Sequence, residues 1–213
     1  MMTNVMKDWQ KWRKQERERI VAARMSIPAG LHQQWSRAIA GLLQQGFPNL
    51  QHMKIGLYWP FRCEYDPREG ILPFIETGAI LAMPEVIGKY KPLCFRQWWP
   101  GAPMKQGAYT IPVPEDTPHI VPNALIVPMV GFDMQGYRLG YGSGYYDRTL
   151  ANFSHAPRTI GVAFELQRLD TVHPQPHDIV MQYVVTEAGI FQTGQSGLEL
   201  ISIEQCADTN ADV

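Results

Sequence analysis

Three glycines at alternate positions, Gly140, Gly142 and Gly144, form the stretch of this sequence with the clearest chemical meaning. They lie between an apolar run, residues 124–130, and a segment with helical character that begins at Tyr145. Glycine adopts positive φ angles easily and lets a ligand approach the backbone, so such a turn can direct several N–H groups at one anion. A helix that begins directly after the turn adds partial positive charge. The pattern therefore predicts an anion-binding loop.

Charged side chains flank these glycines. Arg138 and Arg148 carry permanent positive charge on either side, and Asp147 offers a carboxylate of the kind that Mg²⁺ prefers. Phosphate on the glycines with a metal ion on the aspartate is one hypothesis, and a tight turn that needs glycine for steric reasons alone is the other. The spacing matches neither the dinucleotide-binding fingerprint nor a Walker A loop, because the third glycine comes too early and no Lys-Ser/Thr pair follows.

A second set of candidate residues lies in segment 6–25, which lacks Gly and Pro and predicts a helix. Arg13, Arg17 and Arg24 are one and two helical turns apart and therefore share a face, with Lys14 adjacent to the first of them. This basic face is either a phosphate-binding surface or a solvated surface balanced by neighbouring glutamates.

The remaining elements must position these residues. Further helices are predicted at 29–45, 66–77 and 145–153. Short apolar runs bounded by turn residues predict strands at 55–60, 79–83, 93–98, 124–128, 159–165, 183–187 and 189–191. This alternation predicts one α/β domain in three layers, spanning residues 1–193. The polar and acidic residues 194–213 are expected to form a frayed tail.

Three further features are candidate parts of a binding site, and the first of them, Glu64, lies at the carboxyl end of a predicted strand, where open α/β sheets bind ligands. Glu64 follows the first predicted strand. Asp178 lies on a proline-stiffened loop and, together with Asp147, is able to complete a carboxylate pair for one metal ion. Segment 99–122 contains six prolines, too many for regular structure, and is either a lid that lines the ligand or a surface excursion.

Composition narrows the functional classes. A chain of 213 residues suits one sizeable domain, and a net charge of −1 with a pI near 6.6 attracts neither nucleic acid nor an anionic membrane. The three cysteines are far apart, which argues against a disulfide framework or a structural zinc site and favours a reduced, cytoplasmic setting. No signal peptide or membrane anchor is expected.

Taken together, these motifs resemble the 5-formyltetrahydrofolate cyclo-ligase family from about residue 13 to about residue 190. The most specific part is 138–148, read as Arg-Leu-Gly-Tyr-Gly-Ser-Gly-Tyr-Tyr-Asp-Arg. The supporting motifs, in order, are Tyr58-Trp-Pro with Glu64, Ile126-Val-Pro leading through Phe132-Asp133, Ile160-Gly-Val-Ala-Phe-Glu with Gln167, His177-Asp178, and Val184-Val-Thr-Glu.

The resemblance implies a Rossmann-like α/β/α fold with a mostly parallel sheet, of the kind also found in CoA transferases. It implies cyclisation of 5-formyltetrahydrofolate to 5,10-methenyltetrahydrofolate, with ATP as co-substrate, Mg²⁺ as cofactor, and phosphorylation of the formyl oxygen. The expected assembly is a monomer or weak homodimer without nucleic-acid or membrane partners. A non-catalytic folate or nucleotide sensor is the alternative, and a sugar-phosphate isomerase or transferase rests on fold analogy alone.

The resemblance also implies roles for individual residues. Catalytic roles fall on Arg17, Arg138 and Tyr145. Nucleotide binding falls on Arg13, Lys14, Arg17, Arg138, Leu139, Gly140, Tyr141, Gly142, Ser143, Gly144, Tyr145 and Tyr146. Folate binding falls on Tyr58, Trp59, Glu64, Trp98, Tyr141, Gly142, Ser143, Gly144 and Tyr145. Metal binding falls on Asp147 and Asp178.

Members of the family carry a Lys and then an Arg one turn later in the first helix. Here Arg17 fits the arginine, but Arg13 precedes it with Lys14 adjacent, which leaves open which cation contacts the phosphates.

Overall fold

The computed structural model describes residues 8–209. Its helices are α1 (Asp8–Met25), α2 (Ala29–Gly46), α3 (Pro67–Ile71), α4 (Tyr145–Ala151) and α5 (Ile203–Thr209). Its strands are β1 (Lys54–Gly56), β2 (Ile80–Val86), β3 (Leu93–Trp98), β4 (Met104–Gln106), β5 (Pro112–Pro114), β6 (Ala124–Pro128), β7 (Gly131–Asp133), β8 (Arg138–Leu139), β9 (Arg158–Val162), β10 (Arg168–Leu169), β11 (Tyr183–Thr186), β12 (Gly189–Gly194) and β13 (Gly197–Ile201).

An eight-stranded sheet forms the centre of the molecule, in the order β13-β12-β11-β9-β6-β1-β2-β3. The pairs from β11 through β9, β6 and β1 to β2 are parallel, whereas β3, β12 and β13 add antiparallel edges. The middle strand β6 is buried almost throughout, as expected of a parallel strand covered on both faces. The mostly parallel α/β architecture predicted from the sequence is confirmed.

Apolar residues pack on both faces of this sheet, as the three-layer prediction requires. On one face, Ile39 and Leu43 of α2 pack with the core. On the other face, Leu150 of α4 packs with Leu125 and Val127 of β6.

Helix α1 has its own smaller core. Ile20 and Val21 pack against Val130 just after β6, Leu139 of β8 and Val172 after β10. Ile20 is fully buried there. This packing places the basic face of α1 beside the segment that enters the glycine loop, so the two sets of candidate residues come from elements in contact. Met6 and Lys7 of the predicted helix lie outside the described residues.

The expected frayed tail after Gly194 is wrong for the part of it that is described. Strand β13 pairs with β12, and helix α5 packs near α2, with Cys206 fully buried. A hairpin turn at Gly194–Gly197 returns the chain to the sheet edge, and Leu198 is buried there. The prediction was based on the polar composition of this segment, whereas a few buried apolar side chains hold it against the rest of the protein.

Prolines affected the predicted boundaries in different ways. The predicted helix 66–77 ends its α-helical part at Ile71, because Pro73 removes a backbone donor and the chain continues as a 3₁₀ turn. Strand β2, by contrast, runs through Pro84. It can do so because its pairing with β1 ends at Ala82, beyond which only β3 lies beside it. Segment 99–122 is more regular than expected, since it contains the β4–β5 hairpin.

Among the described residues, no helix is long and apolar enough to cross a membrane.

Candidate active site

Helix α1 and the glycine loop meet through Arg17. Its Nε donates a hydrogen bond of 2.6 Å to the carbonyl oxygen of Gly140. The guanidinium also lies against Gly142, where an added Cβ would be 3.4 Å from Cζ of Arg17. Gly142 has a φ of +98°, a conformation that favours glycine. The basic helix and the glycine loop, predicted separately, are therefore parts of one site.

The loop between β8 and α4 is held by its own backbone geometry and by Arg148. Gly144 has a φ of +63° and immediately precedes α4. The guanidinium of Arg148 donates to the carbonyl oxygen of Ser143. A Cβ at Gly140 would meet nothing within 4 Å, so the first glycine of the motif has open space beside it. Sterics therefore explain the second and third glycines but not the first.

Two predicted loop residues face inward. Leu139 is buried in the α1 core, and the ring of Tyr146 lies 5.9 Å from Cζ of Arg138. The hydroxyl of Tyr146 is buried without a hydrogen-bond partner among the described residues. Burial raises the pKa of this hydroxyl, and Glu64 raises it further. These two side chains support the loop from behind, whereas Tyr141, Gly142 and Ser143 are exposed.

Arg13 forms a buried ion pair with Asp178. Its Nε also donates to the carbonyl oxygen of Val172 at 2.9 Å, and Asp178 Oδ2 accepts from the backbone N–H of Gln175 at 2.7 Å. Burial works against ionisation of Asp178, but the hydrogen bonds from Arg13 and Gln175 outweigh it and lower its pKa. The predicted phosphate ligand and the predicted metal ligand are thus engaged with each other.

Arg138 and Asp147 form a similar pair next to it. Their Nη2 and Oδ1 atoms are 2.9 Å apart. Arg138 also donates to the carbonyl oxygen of Ile179 at 3.1 Å, and the N–H of Ile179 donates to Asp147 Oδ1 at 3.2 Å. Asp147 therefore contacts the residue next to Asp178, so the two predicted metal ligands lie near each other. Each of the two carboxylates is paired with an arginine.

Lys14 differs from these arginines because it is exposed. It makes no hydrogen bond or ion pair with the described residues, and it lies less than one helical turn from Arg17.

The folate-side candidate Glu64 is buried at 7 % exposure. Its Oε2 accepts from the N–H of Phe61 at 2.9 Å, and its Oε1 accepts from the hydroxyl of Tyr141 at 3.0 Å. The same hydroxyl accepts from Nη2 of Arg24 at 2.7 Å. Burial raises the pKa of Glu64 above its ordinary value, and the lowering effects of Arg24 and of the hydrogen bonds from Phe61 and Tyr141 offset this rise only in part.

Arg24 was missing from the predicted site residues. The sequence placed it on the basic face of α1, two turns after Arg17, but gave no partner for it. The spacing along α1 was the one sequence feature that pointed to Arg24. Because Arg24 is two turns after Arg17 on the same helical face, it is expected to contact the part of the site next to the one that Arg17 contacts.

Aromatic residues after β1 form the next part of the site. Tyr58 is buried, and its hydroxyl donates to the carbonyl oxygen of Tyr65 at 2.6 Å, so it supports this wall from within. Trp59 is half-buried, its ring 6.4 Å from that of Trp98, with Arg68 Cζ 4.4 Å from its ring centroid. Trp98 is buried at 7 % exposure, so Trp59 presents the more accessible ring.

Segment 99–122 reaches the loop through Tyr109. Its hydroxyl is 3.2 Å from that of Tyr145, and the ring centroids are 6.4 Å apart. This hydrogen bond is the main cause that raises the pKa of Tyr145. Tyr109 has a φ of +56°, an uncommon conformation for a residue with a side chain. The contact agrees with the prediction of a ligand-lining segment, which stays a prediction.

Within residues 8–209, no group of three or more His, Cys, Asp or Glu side chains is arranged to hold a metal ion. A metal at this site would therefore need ligands from a bound substrate in addition to protein carboxylates.

A model of the 5-formyltetrahydrofolate cyclo-ligase family matches residues 9–187, which include every candidate residue described above. A protein of Mycolicibacterium smegmatis named 5-formyltetrahydrofolate cyclo-ligase is 27 % identical over 183 residues, covering 81 % of this chain and 92 % of the relative. A Haemophilus influenzae protein of the same name is 33 % identical over 93 residues, which span 41 % of this chain and 50 % of that relative.

Solved structures agree with these sequence comparisons. The structure of 5,10-methenyltetrahydrofolate synthetase from Aquifex aeolicus superposes with a TM-score of 0.73 at 25 % identity, covering 89 % of this chain and 96 % of that one.

Proposed function

We propose an activity from one established premise: this chain belongs to the 5-formyltetrahydrofolate cyclo-ligase family. The activity is the ATP-dependent cyclisation of 5-formyltetrahydrofolate to 5,10-methenyltetrahydrofolate, with release of ADP and phosphate. The observation that carries the proposal is the hydrogen bond from Arg17 to Gly140, because it brings a cationic helix onto a glycine loop. A loop of this kind with arginines around it suits a polyphosphate.

The chemistry explains why the protein needs charge and not a nucleophile. The formyl oxygen of the folate is an amide oxygen and leaves poorly. Transfer of the γ-phosphoryl group to that oxygen breaks its bond to ADP and forms a new P–O bond. The second folate nitrogen then attacks the formyl carbon and loses its proton, while the C–O bond breaks and phosphate departs. Phosphoryl transfer asks the protein mainly for positioning and electrostatic stabilisation.

Arg17 and the loop backbone are the groups proposed to meet the phosphates, whereas Arg138, which is 6 % exposed and paired with Asp147, is proposed to support the loop. Arg17 is half-buried, and its pKa is lowered by burial and by the neighbouring Arg13, so an anion beside it would relieve both effects. Residues 140–144 offer accessible backbone, and Tyr145 adds a hydroxyl near the rim. These roles follow the family resemblance and are supported by the placement of the side chains.

Lys14 is the better candidate for the second cation of α1. Arg13 is 6 % exposed and is already paired with Asp178, whereas Lys14 is exposed. Nε and Nη2 of Arg13 are already bonded to the segment that carries Asp178, and the residue is buried, so a phosphate would have little access to its remaining nitrogen, Nη1. We therefore assign phosphate contact to Lys14 and Arg17, and a supporting role to Arg13.

Magnesium fits one of the two predicted carboxylates. Asp147 is 20 % exposed at its side chain and uses Oδ1 for its contacts with Arg138 and Ile179, so Oδ2 is available for a metal shared with the nucleotide. Asp178 is 7 % exposed at its side chain and is held by Arg13 and Gln175, so it does not fit this role without losing its ion pair. When bound, Mg²⁺ would neutralise charge on the phosphates.

The folate would lie on the other side of the loop. Tyr141 faces solvent there, backed by Glu64, and Trp59 offers an accessible ring for a flat pterin. Tyr58 and Trp98 are buried and are proposed to support this wall from behind.

The test is an absorbance assay. Purified protein with 5-formyltetrahydrofolate, ATP and Mg²⁺ should produce the near-ultraviolet absorbance of the methenyl product. Omission of ATP should abolish the signal. A flat trace from folded protein, with folate binding retained in calorimetry, would contradict catalysis and leave a binding protein.

We also propose that the protein acts in the cytoplasm as a monomer or weak homodimer. The three cysteines are far apart in the sequence, and Cys63 and Cys94 form no disulfide among the described residues, which suits a reducing compartment. Sedimentation velocity over a range of concentrations would measure the assembly.

A further inference from the structure

Arg24 is a charged residue with 1 % exposure at the end of α1. Its Nε donates to the carbonyl oxygen of Arg62 at 3.0 Å, and its Nη2 donates to that of Phe61 at 3.3 Å. Its Nη1 lies 3.5 Å from the carbonyl oxygen of Met129. A planar guanidinium with five donors suits such a position. Arg24 therefore ties α1 to the segment that carries Glu64.

The same guanidinium faces the two polar groups of the folate side. Nη2 of Arg24 is 2.7 Å from the hydroxyl oxygen of Tyr141 and 3.7 Å from Oε1 of Glu64. Since Arg24 only donates, the hydroxyl of Tyr141 accepts from it and must give its own proton to Glu64, 3.0 Å away. The direction of both hydrogen bonds is thus fixed by one buried cation.

Exposure separates these three residues by role. Arg24 and Glu64 are 1 % and 7 % exposed, whereas Tyr141 is 42 % exposed. A ligand on the loop would therefore contact the ring of Tyr141 and not Arg24. Any influence of Arg24 on the ligand must pass through Tyr141 and Glu64.

We propose that Arg24 is a positioning residue that keeps Glu64 ionised and the hydroxyl of Tyr141 directed at it. The folate side of the loop is then assembled only while this buried ion pair is intact. The effect on turnover rests on the proposed function, whereas the ion pair itself can be measured in protein that turns nothing over.

The charges around Glu64 explain why Arg24 has this effect. The titratable groups that face Glu64 are Arg24 from α1, Tyr141 from the loop, Tyr58 from the segment after β1 and Tyr146 from α4. Among these four, Arg24 alone is positively charged. Without it, burial would act on Glu64 with no opposing cation, and the neutral acid would be favoured towards neutral pH.

The ion pair is tested by carboxyl ¹³C NMR of protein labelled at glutamate, with the Glu64 signal assigned by its loss in E64Q. Arg24→Met should raise the titration midpoint of Glu64 by about one unit or more. Arg24→Lys keeps the charge and should restore most of the difference. Arg19→Met, which removes an arginine from the exposed face of the same helix, is the matched control and should leave the midpoint unchanged. An unchanged midpoint in Arg24→Met overturns the proposal.

Folding and turnover supply the other readouts. If Arg24→Met does not fold, the double variant R24M/E64Q decides, because removal of both charges should restore folding if they are paired; equal instability of the two variants contradicts the pairing. In active protein, the acidic limb of kcat/KM for the folate should move to higher pH by the NMR shift, and a limb that stays in place overturns the positioning role. Absence of turnover in the wild type would contradict the proposed function, while the NMR result would still decide on the ion pair.

Discussion

Nε of Arg17 lies 2.6 Å from the carbonyl oxygen of Gly140, a contact between residues 123 positions apart in the sequence. Only one nitrogen of the guanidinium is used in this way, and the two Nη groups make no hydrogen bond with the described residues. Arg17 therefore has donors left for a ligand on the loop. The contact also fixes α1 relative to the loop, so a change at Arg17 alters both charge and geometry at one place.

Arg17→Ala should lower kcat/KM for ATP by about 100-fold, the usual cost of removing one preorganised donor from a site of developing charge. Binding of the folate alone should change much less, because Arg17 contacts the part of the loop next to Gly140 and Gly142. Steady-state kinetics and calorimetry with each substrate measure the two effects. Arg19→Ala on the exposed face is the control. A loss confined to the folate would show that α1 serves the other substrate.

Lys14 and Arg13 should respond differently to truncation. Lys14→Ala should raise the KM for ATP with little change in stability, because the side chain is exposed and unpaired among the described residues. Arg13→Met should destabilise the fold by about 3 kcal/mol or more, because it leaves the buried carboxylate of Asp178 without its cation. Urea unfolding and ATP kinetics of both variants separate the roles. The opposite pattern would assign the phosphate contact to Arg13.

The sequence predicted most of the parallel sheet because a short apolar run such as 124–128 is the local pattern of a strand that is buried on both faces. It also predicted that the loop and α1 carry the chemistry, through glycine spacing and a shared helical face. It did not predict that Arg13 and Asp178 neutralise each other, because these residues are 165 positions apart in the sequence. Pairings over such a distance depend on how elements pack, which local patterns do not contain.

Arg24 illustrates the same limit. The helical sequence pattern around an arginine is the same whether its side chain is solvated or buried. Arg24 is buried because residues 61–64 pack against the end of α1, which the pattern does not show. The prediction of a frayed tail after Gly194 was wrong for a different reason. Its few buried side chains, including Leu198 and Cys206, have partners in β12 and α2, so composition alone favoured disorder.

Asp147→Asn should abolish the Mg²⁺ dependence of turnover while the protein stays folded. The amide keeps the volume and one oxygen able to accept from Arg138 and Ile179, but it loses the charge that a metal requires. Turnover measured against Mg²⁺ concentration, together with circular dichroism, tests both parts. Asp178→Asn is the matched comparison and should retain an Mg²⁺ response. Wild-type response in Asp147→Asn would rule out the proposed metal site.

The pair of Arg13 and Asp178 should make stability depend on acid pH. The folded-state pKa of Asp178 is lowered, so the unfolded chain binds its proton more readily than the folded protein does. The stabilisation is therefore fully present above the ordinary aspartate pKa near 3.8 and is lost as pH falls through the lower folded value. Asp178→Asn should be less stable than wild type at pH 7, and the difference should shrink at pH values below the ordinary pKa.

Urea unfolding of the wild type and Asp178→Asn at several pH values measures this difference directly. Arg13→Met should give a similar dependence, since the carboxylate loses in that variant the cation that keeps its pKa low. Asp66→Asn, at a half-exposed pair with Arg68, is the control and should show a smaller change at every pH. A difference between wild type and Asp178→Asn that persists unchanged into acid would contradict an ionised Asp178. The carboxylate would then hold its loop by hydrogen bonds from Gln175 alone, and Arg13 would be released for the phosphates after all.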